Sequence, residues 1–324
     1  MKHELAMGMA TRDAYGKELV ALGKQDPNVV VLDADLSKST KTALFGKAFP
    51  QRFFNVGICE ANMVSMAAGL ALSGKIPFIS SFAVFLMAKG FDQLRMGIAY
   101  PHTNVKVVVS HGGISIGEDG PSQQSIEDIA LACSLPGFIV NVPADEVAMR
   151  ALLRAAHSHV GPVFMRAGRP KTPIIYREGE KFELGKGKVL THGDDLAIVT
   201  YGGLVAEAIR AAERLERESS IRTTVIDMHT IKPIDGDLLR ETAARTAAVL
   251  VAEEALADGG LASAVARWLG ENLPTPMAIV SIPDTYAESA TPAQLYEKYG
   301  LSAPSLVEAA RKLVARKVRN GAIA

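Results

Sequence analysis

The sequence predicts an α/β protein of two domains, each a mainly parallel sheet flanked by helices. Three observations carry this. Apolar runs of strand length, such as Val29–Leu32 and Leu196–Tyr201, alternate with helical stretches, and strands without a polar face belong to parallel sheets covered on both sides. The alternation lapses between about Pro170 and Asp194 into charged sequence broken by Gly and Pro (Tyr176-Arg177-Glu178-Gly179-Glu180-Lys181), which reads as a linker. The chain's 324 residues leave room for two cores. The first domain is placed at 1–180 and the second at 190–324.

In order, Thr11 is a plausible N-cap for a helix to about Leu22, stopped by Asp26-Pro27. The strand Val29–Leu32 ends in the polar loop Asp33–Ser37. A helix over Ala61–Leu72 leads to a strand at Ile76–Ile79, a helix over roughly Phe82–Ile98 and a strand at Val105–Ser110. Helix Ser125–Ser134, strand Phe138–Val142, helix Ala144–His157 and strand Val163–Arg166 complete the first unit. The second opens with Leu196–Tyr201, a Gly202-Gly203 turn and the helix Leu204–Glu216. Strands at Thr223–Ile226, Val249–Val251 and Ile279–Ser281 follow, with helices between them and a closing helix near Leu306–Val318.

Composition narrows the function classes. The chain is 48% hydrophobic and 22% charged, with 35 basic and 35 acidic residues and a net charge of +0. That balance argues against nucleic acid or an anionic membrane as the main partner. Two cysteines, Cys59 and Cys133, form neither a metal-ligand spacing nor a disulfide framework and suit a reducing compartment. The segment from Met1 to Leu5 lacks the apolar core of a signal peptide, and no uninterrupted apolar run reaches membrane-spanning length. The expected location is the cytoplasm.

Within this frame Glu60 stands out. It is the only charged residue between Arg52 and Lys75, at the junction of an apolar strand and a small-residue helix. Apolar surroundings disfavour a charged carboxylate and suit it to hold or share a proton; the competing reading is a cap on the first helical turn. Ligands in parallel sheets bind beyond the carboxyl ends of the strands. That rule selects the Asp33–Ser39 loop, the entry to Glu60, Phe82–Phe85 and the loop from His111. The last, His111–Gln124, mixes glycines and a proline with His111, Glu118, Asp119 and Gln123, letting backbone approach a ligand closely; alternatively it is a long surface loop. Its glycines match neither the dinucleotide nor the P-loop spacing. His157 and His159 are too close in sequence for a usual zinc pair on one helical face.

The run Gly117-Glu118-Asp119-Gly120-Pro121-Ser122, with Glu60 upstream and Phe82-Ala83-Val84-Phe85 between, resembles the transketolase family of thiamine diphosphate enzymes. Ala10-Thr11-Arg12 and Asp33-Ala34-Asp35-Leu36-Ser37-Lys38-Ser39 resemble its opening helix and first strand-end loop. Asp227–Asp235 and Glu253-Glu254 followed by Gly259-Gly260-Leu261 resemble its C-terminal domain. The family's full-length members begin with a further domain whose Gly-Asp-Gly motif and downstream Asn bind the diphosphate through a divalent metal. That site has no counterpart here. The resemblance therefore implies a pyrimidine-binding domain plus a C-terminal domain, the C-terminal subunit of a split transketolase. A separate N-terminal subunit would hold the diphosphate and a Mg or Ca ion, in an α2β2 heterotetramer.

The resemblance also implies roles. Glu60 matches the glutamate that hydrogen-bonds the cofactor's pyrimidine nitrogen and promotes its imino tautomer. Phe85, with Phe82, matches the aromatic pocket for that ring, though two Phe at this spacing on a helix are more often core. Asp35 and Ile58 fall at matching cofactor positions. His111 matches a histidine able to donate to a developing oxyanion, and Asp119 an aspartate that binds a donor hydroxyl. Arg12, Ser39 and Arg166 match binders of a sugar phosphate. No residue of this chain is assigned to metal. Three departures stand out: Gln123 replaces a common His facing the sugar, Cys59 a common Arg, and Ala88 a third aromatic. The implied reaction is transfer of a two-carbon ketol unit between sugar phosphates. A 1-deoxyxylulose-5-phosphate synthase-like enzyme, a 2-oxo-acid dehydrogenase beta subunit and a non-catalytic paralogue are the alternatives.

Overall fold

A computed structural model describes residues 5–321. Strand β1 (Met7–Ala10) leads into α1 (Thr11–Gln25), followed by β2 (Val29–Asp33), short helices α2 (Ser37–Thr40) and α3 (Ala43–Ala48), and β3 (Phe53–Asn55). Helix α4 (Glu60–Leu72) precedes β4 (Ile76–Ser80), α5 (Ala83–Lys89), α6 (Phe91–Gln93) and β5 (Lys106–Ser110). Helix α7 (Asp128–Ser134), β6 (Ile139–Asn141), α8 (Glu146–Ser158), β7 (Val163–Ala167) and β8 (Lys171–Pro173) follow. The second half runs β9 (Lys188–Thr191), β10 (Leu196–Thr200), α9 (Leu204–Ser219), β11 (Thr223–Asp227), β12 (Thr230–Lys232) and α10 (Gly236–Thr246). It ends with β13 (Val249–Leu256), α11 (Leu261–Asn272), β14 (Met277–Ile282), α12 (Pro292–Lys298) and α13 (Ala303–Gly321).

Two main sheets form, as the strand runs require, beside a two-stranded antiparallel pairing of β1 with β8. The larger has the order β12-β6-β7-β5-β4-β2-β3 and the smaller β14-β13-β10-β11-β9. Within these two sheets all pairings are parallel except β12 on β6 and β9 on β11 at the edges. Val31, Phe78, Val108 and Met165 of the larger sheet pack with Leu19 of α1 and Leu152 of α8. Leu32, Ile79 and Val107 point the other way, onto Met63 of α4 and Leu86 of α5. This second core continues through Val140 into Val199, Ile226 and Val251 of the smaller sheet, so apolar packing joins the two units.

The structure departs from the sequence reading at four places. The helix expected over Phe82–Ile98 is interrupted at Gly90, where a Cβ would press on the Leu86 carbonyl, and a π-helical segment covers Leu94–Ala99. The linker region contains β8 and β9, the latter an edge strand of the smaller sheet. Strand β12, from beyond that linker, hydrogen-bonds into the larger sheet. Thr11 is not a cap: it is the first helical residue, and its Oγ1 accepts from the Gly168 N–H at 2.7 Å, tying α1 to the end of β7.

Candidate active site

The carboxyl ends of β2, β4, β5 and β7 converge, because parallel neighbours end on the same edge. Glu60 opens α4 beside β4, and its side chain is 2% exposed. Its Oε1 accepts from Ser81 Oγ at 3.2 Å and its Oε2 lies 3.8 Å from Lys89 Nζ. Among the described residues its hydrogen-bond partner is therefore a side chain at the end of β4, not a first-turn N–H. The cap reading does not describe it.

Lys89 stands 4.7 Å above the Phe85 ring, Phe85 stacks on Phe82 at 5.6 Å between centroids, and Phe82 stacks on the His111 imidazole at 3.8 Å. Phe82 is buried, but it is the extended residue before α5 and not part of the helix, which turns its ring toward β5. His111 follows β5 with a φ of 62°, a left-handed conformation uncommon outside glycine. Arg12 Nη1 donates to His111 Nε2 at 3.1 Å and to the Ser39 carbonyl at 3.2 Å. An unbroken line thus runs Glu60–Lys89–Phe85–Phe82–His111–Arg12–Ser39. Asp119, exposed in the turn Gly117–Asp119, lies close enough to Arg12 to support its charge electrostatically.

Burial, reinforced by the cations Arg12, Arg169 and Lys41, holds the His111 pKa down at about 3. The ring is neutral at ordinary pH. With Nε2 accepting from Arg12, Nδ1 carries the proton and donates to Ser110 Oγ, 2.7 Å away. Both ring nitrogens are thereby engaged within the chain. The expected donation from His111 to an oxyanion is not available in this arrangement; it requires Arg12 to leave Nε2.

Comparison with known proteins bears on the same surface. Residues 7–174 match the model of the transketolase pyrimidine binding domain, and residues 185–306 that of the transketolase C-terminal domain. The chain belongs to the transketolase family. That family transfers ketol groups and depends on thiamine diphosphate. The chain is 43% identical to a putative transketolase C-terminal section of Methanocaldococcus jannaschii, over 92% of this chain and 94% of that protein. It is 39% identical to the 6-deoxy-6-sulfo-D-fructose transketolase subunit SqwH of Clostridium sp. (strain MSTE9), over 94% and 95% of the two. A solved split-gene transketolase, described as an inactive beta4 tetramer, superposes with a TM-score of 0.90 at 49% identity, covering 96% of this chain and 100% of that one.

The site fits the pyrimidine half of the family's cofactor on its own evidence. A buried carboxylate that spends no bond on its helix is linked through Lys89 to two stacked phenyl rings, and Ile58, two residues before Glu60, is 77% exposed. Such a shelf suits a flat nitrogen heterocycle. Asp35 is exposed; it exchanges bonds with Asn55, its N–H donating to Oδ1 at 3.1 Å and its Oδ1 accepting from Nδ2 at 3.0 Å. Gln123 Oε1 accepts from Ser122 Oγ at 2.5 Å, with no contact to the Arg12–His111 pair among its described bonds. Among the described residues no group of three or more His, Cys, Asp or Glu could hold a metal ion.

Arg166 is drawn away from the phosphate role expected of it. It lies within β7, 4% exposed, with Nε 3.6 Å from Asp128 Oδ2 and Nη2 donating to the Glu254 carbonyl at 3.0 Å. Burial opposes its charge, yet Asp128, Tyr201 and Glu254 hold its pKa above the ordinary guanidinium range. The arginine beyond the end of β7 is Arg169. Its Nη1 donates to the Ile116 carbonyl at 2.6 Å and pairs with Glu118 at 3.0 Å, and its charge bears on both Arg12 and His111. The strand-end rule favours Arg169 over a mid-strand residue. Lys89 and Ser81, partners of Glu60, also escaped the sequence reading; only their nearness to Phe85 in the chain hinted at them.

Proposed function

We propose that this chain is the C-terminal subunit of a split transketolase. It moves a two-carbon ketol unit from a ketose phosphate to an aldose phosphate in a site completed by a separate N-terminal subunit. The observation that carries this is the unbroken line from Glu60 through Phe85, Phe82 and His111 to Arg12: a heterocycle shelf at one end and a cation site for anions at the other. Thiamine diphosphate, when bound, supplies a carbon acid and an electron sink. Glu60, with Phe82 and Phe85, would hold its pyrimidine ring, and Glu60 would share a proton with the ring nitrogen. Ile58 and the Asp35 loop would border the ring.

At the other end Arg12, Arg169 and the Ser39 hydroxyl receive the substrate's phosphate, and Asp119 accepts from a sugar hydroxyl. Drawing Arg12 onto a phosphate frees His111 Nε2. Ser110 can then donate to Nδ1, leaving an Nε2–H able to donate to a developing oxyanion. Gln123 contributes a neutral amide beside the sugar. A ketose ending in another anion would meet the same two guanidiniums, which is the reading favoured by the similarity to a sulfo-sugar transketolase subunit.

Support for a covering partner comes from the exposed apolar flank. Leu72 is 75% exposed on α4, and Met96 and Tyr100, 50% and 83% exposed, lie on the segment packed beside it. Exposed apolar side chains on neighbouring elements suit an interface. We assign self-association to this flank, an α2β2 assembly, a divalent metal such as Mg or Ca held by the N-terminal subunit, and a role in pentose phosphate metabolism. The described helices include none long and apolar enough to cross a membrane, and two free thiols suit the cytoplasm. The test is reconstitution: ketol transfer is expected when this chain is mixed with an N-terminal subunit, thiamine diphosphate and magnesium, and not from the chain alone. Turnover by the purified chain alone would overturn the split-site reading.

A further inference from the structure

The segment leaving His111 does not hold its own shape. Gly112 and Gly113 lie directly against the Arg166 guanidinium: a Cβ at Gly112 would fall on its Nε, and one at Gly113 on its Nη2 and on Glu254 Oε1. Gly113 has a φ of 76°, and two positions before it His111 has a φ of 62°. A non-glycine residue in that region persists only where its surroundings over-determine it. Part of the surroundings here comes from the other domain. The Ser115 N–H donates to Glu254 Oε1 at 2.5 Å, and Tyr296 Oη donates to Glu254 Oε2 at 2.9 Å. The Glu254 carbonyl in turn receives Arg166 Nη2 at 3.0 Å. Arg166 leans on Asp128, at 3.6 Å, the first residue of the helix that follows the His111 loop.

From this geometry we infer that Glu254 and Tyr296 of the C-terminal domain, together with Arg166 of the first, are positioning residues: through them the C-terminal domain fixes the backbone of the His111 loop. Glu254 touches neither the shelf nor the Arg12 end of the site. It acts on them by pinning Ser115, while the Arg166 side chain fills the space that only two glycines leave. His111 then meets Phe82 on one face and Arg12 at its edge. Part of the catalytic geometry of the first domain is thereby supplied by the second, which gives the C-terminal domain a task in the reaction beyond being attached to it.

The experiment is hydrogen exchange on the full chain, with Glu254→Ala, Glu254→Gln and Tyr296→Phe, followed by kinetics of the reconstituted complex; only the kinetic arm rests on the function proposed above. Loss of a charge-assisted bond to Ser115 should raise exchange of the peptide spanning 111–117 roughly tenfold in Glu254→Ala, with β4 and β10 unchanged. Glu254→Gln keeps an acceptor for Ser115 and should recover most of the protection. Tyr296→Phe removes one hydroxyl and should give a smaller rise in a chain that folds normally. In the complex, kcat should fall in the same order while assembly with the partner is unaltered. Unchanged exchange at 111–117 overturns the inference. So does an equal rise throughout the second domain, which would make Glu254 a fold residue, and so does a loosened loop with unaltered kcat. If the wild-type complex shows no turnover, the functional reading fails and the exchange result still decides the loop.

Discussion

Replacing Glu60 by Gln separates folding from chemistry at one atom pair. The side chain is 2% exposed, accepts one hydrogen bond from Ser81 and stands 3.8 Å from a Lys89 that is itself 53% exposed. A glutamine keeps the shape and can still accept from Ser81. It gives up an ion pair whose cation is largely in water, worth at most about 1 kcal/mol, and removes the cost of a buried charge. The two changes oppose each other, so stability should stay within about 1 kcal/mol of wild type, a few degrees in Tm. Turnover should behave differently, because an amide cannot share a proton with a ring nitrogen. General acid–base groups contribute about 10²–10⁴-fold, and kcat of the reconstituted enzyme should fall in that range. The assay is ketol transfer by the complex, run beside a thermal melt of the variant. Unchanged turnover in a normally folded variant would refute the role given to Glu60; a large loss of Tm would show that the carboxylate is structural.

Other expectations follow from the same geometry. The His111 pKa, about 3, lies below its ordinary 6.5. Between those values the unfolded chain therefore binds a proton that the folded chain refuses, and stability drops as pH falls. His111→Gln should remove about 1.4 kcal/mol of that acid sensitivity per pH unit, read from urea unfolding across the window. The neutral ring should also leave no histidine inflection from His111 in the kcat/KM profile near pH 6 to 7. Arg12→Ala and Arg169→Ala should each raise KM for a phosphorylated donor about 10–100-fold while scarcely changing a ketose without an anionic end; equal effects on both donors would count against the phosphate role. Lys106 is fully buried, and its ammonium donates to Asn104 Oδ1 and to the carbonyls of His159 and Gly161, each at 2.7 Å. Lys106→Met should cost on the order of 3 kcal/mol in chemical denaturation by stranding those acceptors.

The fold was legible because its strongest signals are local. Val29–Leu32 and Leu196–Val199 can be buried on both faces only in a covered parallel sheet, and they are. What the sequence hid was decided by distant contacts. The helix after Phe82 ends at Gly90, where a Cβ would meet the Leu86 carbonyl and Val64. Strands β9 and β12 are short pieces whose only strand signal is the edge they happen to meet, so charged flanks made one look like linker and a Lys-Pro turn disguised the other.

The site divides along the same line. Glu60 was visible because an isolated carboxylate in an apolar run is conspicuous by itself. Arg166 is hard to place from sequence because an arginine near a strand end reads alike whether it points along the sheet or off its edge. The strand continues one residue past Arg166, which puts that guanidinium inside, among Asp128 and Glu254, and leaves Arg169 beyond the strand end with Glu118. An arginine is held inside only where carboxylates are already there to meet it, and those come from a helix after the His111 loop and from the second domain. The two placements therefore have one physical source: the arginine drawn in among the carboxylates is the residue that ties the His111 loop to the C-terminal domain.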